Sequence, residues 1–285
     1  MHNDLRTTIL LDGLTFPEGP RWREDRLWFS DFFSHRVMTV DLQGHTEVVA
    51  EVPGQPSGLG WTPDGRLLVV SMTDRRLLGQ AEEGLVEVAD LSALAPWHCN
   101  DMVVDATGSA WIGNFGFEYR DENSVRSTVL IRVDPDGTAR VAADGLYFPN
   151  GMVITPDGNT LIVAETFAAR LTAFTIATDG SLTDRRTWAE LPGKSPDGIC
   201  LDADGAVWVA SPPTREVMRV FSGGEIAQRV VIEDNHAIAC MLGGAEGRTL
   251  FVLTGRVGLS AAQAREHACG RIEMVEVETP GAGLP

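Results

Sequence analysis

The sequence predicts an all-β protein, a six-bladed β-propeller that is closed by its N-terminal strand. Three observations lead to this prediction. The apolar segments are short and separated by turn residues. One unit recurs six times at intervals of 39 to 50 residues, and a segment near the N-terminus is duplicated inside the chain.

The apolar segments have the length and composition of strands. They are rich in Val, Leu, Ile and Trp, as in RLLVVS, AWIGNF, TLIVAE, AVWVAS and TLFVLT. Gly, Pro and Asp separate them, which is typical of strands and tight turns rather than of helices. One helix is expected, over Ser260–His267, with Ser260 as its N-cap.

Each repeated unit opens at a small or acidic anchor residue. The six anchors are Gly19, Gly58, Asp101, Gly151, Gly198 and Ala239. A hairpin turn follows in most units, as in TPDGR, DATGS, TPDGN and DADGA. Each unit thus has room for four strands in about 40–45 residues, and this repeat length is typical of propeller blades.

The two ends of the chain predict how the ring closes. The sixth unit ends after RIEMVEVE, one strand short, and TTILL at residues 7–11 can supply that strand. The segment DGLTFPEG at residues 12–19 matches DGLYFPNG at residues 144–151 in six of eight positions, which places both before an inner strand. We therefore expect one domain over residues 1–285, with a loop over one face at Phe117–Ser127.

Composition excludes several classes of partner. The chain has 285 residues and a formal net charge of −17, which disfavours binding to nucleic acid or to an anionic membrane. No basic flank with an apolar core begins the sequence, and no long uncharged apolar run follows, so the expected location is the cytoplasm. The four scattered cysteines are expected to be reduced.

The residue before each anchor should face the central channel, because the first strand of a blade lines it. These six residues are Glu18, Ser57, Asn100, Asn150, Asp197 and Ile238. Two carboxylates and two carboxamides among them offer oxygen ligands, which suit Ca²⁺, Mg²⁺ or Mn²⁺. The alternative is that Asn150-Gly151 and Asp197-Gly198 are plain turns, but the true hairpin turns lie six residues further on, so metal or substrate binding is the preferred interpretation.

Two further residues are candidates for the pocket wall. His98 lies two residues before Asn100 and is a candidate for substrate contact, the alternative being a histidine satisfied within its loop. Asn114 lies where the second strand of the third unit enters the long loop, and it is a second candidate for substrate binding.

At these motifs the chain resembles the senescence marker protein/gluconolactonase/luciferin-regenerating enzyme family, which is similar to diisopropylfluorophosphatase. The matching segments are FPEGPRW, CNDMVVDATGSAWIGN, FPNGMVITPDGNTLIVAET and SPDGICLDADGAVWVAS. The resemblance implies a six-bladed propeller with one divalent cation in its channel, Ca²⁺ in the first place and Zn²⁺, Mn²⁺ or Mg²⁺ otherwise. It implies Glu18, Asn150 and Asp197 as metal ligands, Asn100 as substrate-binding or metal-facing, and Asp197 as general base.

The function that follows is a metal-dependent hydrolase that opens a small-molecule lactone, as a monomer or small homo-oligomer. Sugar lactonases of the family often carry Arg where His98 stands, so the resemblance does not name the lactone. Phosphotriester hydrolysis and a non-catalytic Ca²⁺-binding propeller remain as alternatives.

Overall fold

In the computed structural model, which describes residues 5–118, 121 and 124–282, the strands form six four-stranded antiparallel sheets. Blade 1 comprises β2 (Pro17–Arg23), β3 (Arg26–Asp31), β4 (Arg36–Val40) and β5 (Thr46–Glu51). Blade 2 comprises β6 (Pro56–Trp61), β7 (Leu67–Ser71), β8 (Arg76–Ala81) and β9 (Gly84–Asp90). Blade 3 comprises β10 (Cys99–Val104), β11 (Ala110–Asn114), β12 (Thr128–Val133) and β13 (Ala139–Leu146). The predicted units are thus confirmed as blades.

Blades 4 to 6 repeat this order. Blade 4 comprises β14 (Pro149–Ile154), β15 (Thr160–Glu165), β16 (Arg170–Ile176) and β17 (Leu182–Glu190). Blade 5 comprises β18 (Ile199–Leu201), β19 (Val207–Ser211), β20 (Glu216–Val220) and β21 (Ile226–Val231). Blade 6 comprises β22 (His236–Gly243), β23 (Thr249–Gly255), β24 (Gly270–Glu276) and β1 (Thr8–Leu14). Short 3-10 turns follow the second strand at Phe32–Ser34, Thr166–Ala168 and Pro212–Thr214.

The N-terminal strand closes the ring, as predicted. β1 pairs antiparallel with β24, with Thr8 opposite Met274 and Leu14 opposite Gly270, and forms the outer edge of blade 6. The first strands contact their neighbours around the channel, and β22 of the last blade contacts β2 of the first. A closed ring leaves no blade without a neighbour on either side.

The core lies between the blades because the first and second strands are buried on both faces. All the residues of β7, β11, β19 and β23 are buried. Aromatic side chains bridge blades, as where the Trp22 ring of blade 1 stacks on Phe251 of blade 6 with centroids 5.3 Å apart. Such contacts hold the register between sheets that share no backbone ladder.

The predicted helix is α1 (Ala261–His267), between β23 and β24. Ser260 caps it and forms a capping box with Gln263, each side chain bonding to the other's backbone N–H. Helices long and apolar enough to cross a membrane are absent from the part of the chain that the structure describes. In the predicted loop 117–127, residues 119, 120, 122 and 123 lie outside the described residues.

Candidate functional site

The polar residues predicted to face the channel lie together at one end of it. Glu18, Asn100 and Asn150 are each the second residue of an inner strand, and Asp197 lies two residues before β18. Inner strands begin at the same end of a propeller, so the repeat places these side chains on one level. Backbone hydrogen bonds fix Asp197 there, since its N–H donates to Ala210 O at 2.9 Å.

Hydrogen bonds join four of these side chains across blades 2 to 5. Ser57 Oγ donates to Asn100 Oδ1 at 3.3 Å, and Asn100 Nδ2 donates to Asn150 Oδ1 at 2.8 Å. Asn150 Nδ2 then donates to Asp197 Oδ1 at 2.6 Å. Polar residues from four separate blades therefore form one network, which we call the channel network.

Glu18 adds a second carboxyl to this group. The exposed fractions are 7% for Glu18, 4% for Asn100 and Asn150, and 9% for Asp197. Burial, followed by the charges of Asp197 and Asp101, raises the pKa of Glu18 well above its ordinary value. Burial raises the pKa of Asp197 to about 8, with Asp101 adding to the rise and the Asn150 hydrogen bond opposing it.

A buried ion pair lies next to the channel network. Arg21 Nη2 is 3.0 Å from Asp101 Oδ1, and the same guanidinium donates to the carbonyls of Pro20 and Met102. Arg21 lowers the pKa of Glu18, but this effect is smaller than the effects of burial and of the two aspartates. The predicted site did not include this pair, although Asp101 is the only acidic anchor of the repeat.

In blades 1 and 4, a carboxylate at the end of the second strand accepts hydrogen bonds from the loop that leads into the inner strand. Asp31 Oδ1 accepts from Thr15 N at 3.0 Å and from Phe16 N at 2.7 Å, two residues before Glu18. Glu165 Oε2 accepts from Tyr147 N at 2.9 Å, close to Asn150. These buried carboxylates fix the backbone from which the channel side chains project.

Asn114 lies at the end of β11, the second strand of blade 3. Its side chain forms hydrogen bonds with residues of β12 in the same blade. Its Oδ1 accepts from Thr128 Oγ1 at 2.6 Å, and its Nδ2 donates to Val129 O at 2.7 Å. The side chain is fully buried. The structure therefore does not bring Asn114 into the channel network, and both ends of its amide serve the blade.

His98 lies near the rim, half-buried between two aromatic rings. Its ring stacks on Trp97 with centroids 5.0 Å apart and lies 5.9 Å from that of Phe115. Burial lowers its pKa, the charge of Glu118 opposes this and Arg75 adds to it, so the surroundings favour the neutral imidazole. His98 thus contributes a neutral, largely apolar surface.

Thr166 was missed by the sequence reasoning. Its Oγ1 accepts from Asn150 Nδ2 at 3.2 Å and donates to Pro196 O at 2.8 Å, linking the Asn150 side chain to the loop that carries Asp197. Its position directly after the second strand of blade 4 is the signal that could have identified it. At the opposite end of the channel, Trp22, Cys200 and Gly281 help to line a cavity of about 90 Å³ that contains none of the predicted site residues.

The oxygen-rich composition of the channel network limits what it can bind. Across the described residues, no three His, Cys, Asp or Glu side chains group together as metal ligands. The donors available are two carboxylates and the carboxamides beside them, which are hard oxygen ligands. The residues that gather here, Glu18, Asn150 and Asp197, belong to the motifs by which the sequence resembles one enzyme family.

Comparison with known proteins shows which family the chain belongs to. The family described as "SMP-30/Gluconolactonase/LRE-like region" matches residues 16–256. The chain belongs to this family. It is 26% identical to 6-deoxy-6-sulfogluconolactonase of Pseudomonas putida over 277 residues, covering 94% of this chain and 93% of the relative.

Two further relatives span most of this SMP-30/gluconolactonase family member. A pentonolactonase of Haloferax volcanii is 26% identical, covering 83% of this chain and 80% of that protein. The crystal structure of a calcium-binding protein, regucalcin, from Agrobacterium tumefaciens superposes with a TM-score of 0.82 at 20% identity, covering 100% of this chain and 99% of that one. At this identity, the structural likeness establishes the fold.

Proposed function

We propose that this protein is a divalent-cation-dependent hydrolase that opens a lactone ring in the channel. The observation that carries the proposal is the channel network together with Glu18, two buried acids and two carboxamides gathered from four blades. The two relatives named as lactonases, which match along most of their length, support the reaction class.

The residues fit a divalent cation. Glu18 and Asp197 are buried carboxyls whose pKa values are raised, because burial and neighbouring acids disfavour their charges. A cation between them would remove that cost, and carboxylate and carboxamide oxygens are the donors that hard cations prefer. We assign Glu18, Asn150 and Asp197 as its ligands, with Ca²⁺ as the first choice and Zn²⁺, Mn²⁺ or Mg²⁺ as the others.

When bound, the cation supplies Lewis-acid polarisation of the lactone carbonyl. Asp197 acts as the general base: Oδ1 is oriented by Asn150, which leaves Oδ2 to take a proton from the attacking water. The water oxygen bonds to the carbonyl carbon, the ring C–O bond breaks, and Asp197 returns the proton to the leaving oxygen. The product is a hydroxy acid, and Asp197 is regenerated.

Asn100 is assigned to substrate binding. Its Nδ2 donates to Asn150 Oδ1 in the neighbouring blade, and with an exposed fraction of only 4% the residue has little contact with bulk water. A buried amide beside the reacting groups can orient the substrate oxygens because its hydrogen bonds do not compete with solvent.

A panel of lactones in a pH-indicator assay tests the proposal. Chelated protein should open none of them, and adding back one of Ca²⁺, Zn²⁺, Mn²⁺ or Mg²⁺ should restore turnover. Failure of every lactone with every cation would contradict the proposal. Turnover of a phosphotriester alone would instead support the phosphotriesterase alternative, and cation binding without turnover would support a non-catalytic propeller.

A further inference from the structure

Aromatic side chains cluster at the same end of the blades as the candidate site. They come from the loops before inner strands and from the residues after second strands, the same positions that fix the channel network. We call them the aromatic rim, which consists of Phe32, Trp97, His98, Phe115, Phe148 and Phe167.

Rim residues of blades 3 and 4 pack against one another, and Phe115 and Phe148 are each only 8% exposed. The rings of Phe115 and Phe148 have centroids 4.4 Å apart, and that of His98 lies 5.9 Å from Phe115. Phe148 also packs edge-on against Phe167, whose exposed fraction is 46%. In the packed core, Phe115 and Phe148 belong to one cluster with Phe32 of blade 1.

Phe148 adopts a backbone conformation that an aromatic residue rarely adopts. Its φ angle is 56°, in the left-handed region that favours Gly or Asn. The residue lies two positions before Asn150. Such strain persists where surrounding structure imposes it and is concentrated at functional sites. The strained backbone thus lies in the segment that leads into Asn150, a member of the channel network.

Among the residues that the structure describes, the rim offers few polar partners to a ligand, and the carboxylate of Glu118, whose charge acts on His98, is one of them. Burial lowers the pKa of His98, which favours its neutral form. The nearby Arg75 already donates to the carbonyls of Ser92 and Ala95, and Arg265 donates to the carbonyl of Phe33. Hydroxyl groups pressed against phenyl rings would lose their hydrogen bonds to water without replacement, whereas alkyl or aryl groups would gain from leaving water.

We propose that the substrate is a lactone carrying an alkyl or aryl substituent, and that Phe115, Phe148 and His98 contact that substituent. This inference rests on the proposed lactonase function and names the substrate class of the same site. It assigns the reacting ring to the channel network and the substituent to the aromatic rim.

Three lactones of one ring size test the proposal with the cation-loaded full-length protein. They are δ-valerolactone, δ-decalactone, which adds a pentyl chain, and D-glucono-1,5-lactone, which adds hydroxyl groups. Because each buried methylene is worth about fourfold in binding, kcat/KM for δ-decalactone should exceed that for δ-valerolactone by about tenfold or more, even with partial burial. D-glucono-1,5-lactone should be the poorest of the three.

Two variants locate the effect at the rim. Phe148→Asn removes the ring but keeps a residue that tolerates a positive φ, so the fold should be retained. It should lower the ratio of kcat/KM for δ-decalactone to that for δ-valerolactone about tenfold. The matched control is Phe221→Asn, because Phe221 lies in the turn between the outer strands β20 and β21 and belongs to neither the rim nor the channel network, so all three rates should be unchanged.

The possible results separate the two proposals. Turnover that is fastest with D-glucono-1,5-lactone would overturn the substrate class but not the lactonase function. An unchanged ratio between δ-decalactone and δ-valerolactone in folded Phe148→Asn would also overturn it, and if that variant does not fold, Phe115→Leu provides the same comparison. Turnover of none of the three lactones, with turnover of another lactone of the panel, would overturn the substrate class alone, and turnover of no lactone at all would overturn both proposals.

Discussion

Asn150 Nδ2 lies 2.6 Å from Asp197 Oδ1, so a hydrogen bond crosses from blade 4 to blade 5 at the end of the channel. This contact fixes one oxygen of the carboxylate. It also partly opposes the effect of burial, which raises the pKa of Asp197. The same pair joins the residue assigned as general base to a residue assigned as cation ligand.

Asp197→Asn should abolish most activity, because the amide keeps the shape but cannot accept the proton. Loss of general-base catalysis alone costs ~10²–10⁴-fold in rate. The measurement is kcat/KM on the best lactone together with metal content. Asp157→Asn, in an exposed hairpin turn, is the control and should behave as wild type. The base assignment is wrong if Asp197→Asn keeps more than about a tenth of the activity at full occupancy, a loss of only ~1.4 kcal/mol.

Asn114→Ala should destabilise the fold rather than change catalysis. The substitution leaves Thr128 Oγ1 and Val129 O without their buried partner, at about 1–3 kcal/mol for each unsatisfied group. Urea denaturation should therefore report lower stability, while kcat/KM per folded molecule stays near wild type. Asn100→Ala is the comparison, and it should lose kcat/KM with metal affinity largely retained. A selective loss of kcat/KM in stable Asn114→Ala would return this residue to substrate binding.

Cation binding should stabilise the protein more at high pH than at low pH. Burial raises the pKa of Asp197 from 3.8 to about 8, and the pKa of Glu18 is raised in the same direction. Between the unfolded and folded values the folded protein binds more protons, so these acids make the cation-free protein less stable as pH rises. A bound cation removes this penalty and competes with protons for the same oxygens.

The measurement is the difference in Tm between cation-saturated and chelated protein at several pH values between about 5 and 8. This difference should increase with pH, and subtracting the chelated value cancels other groups that titrate in both forms. No thermal shift with any of the four cations, together with no metal in the purified protein, would refute the cation site.

Deletion of residues 1–11 should cost most of the stability of the fold. It removes the part of β1 that pairs Thr8 with Met274 and Leu11 with Ile272, and it exposes β24 as an edge. A protein lacking only residues 1–4 keeps this pairing and serves as the control. Equal melting temperatures for the 1–11 deletion and the control would show that the closure is dispensable.

The sequence predicted the ring because aligning the six repeated units shows which residues take the same place in each blade. Once the anchors were aligned, the hairpin Asp-Gly pairs at 64–65, 157–158 and 204–205 marked the bottom of three blades, and Glu18, Asn150 and Asp197 marked the top of the channel. The position of Asn114 was predicted but its partners were not, because hydrogen bonds from Thr128 and to Val129 depend on strand pairing across a long loop. The strain at Phe148 depends on a backbone angle, for which Phe gives no sequence signal.

The pairing of β1 with β24 determines when the protein can become functional during synthesis. Thr8 and Met274 are 266 residues apart, so the first strand to leave the ribosome must wait for the last before blade 6 is complete. Glu18 begins blade 1, which contacts blade 6, and it gains its final neighbours only then. A nascent chain of five blades would therefore contain all three assigned cation ligands, Glu18, Asn150 and Asp197, without the closed ring that holds them at one level.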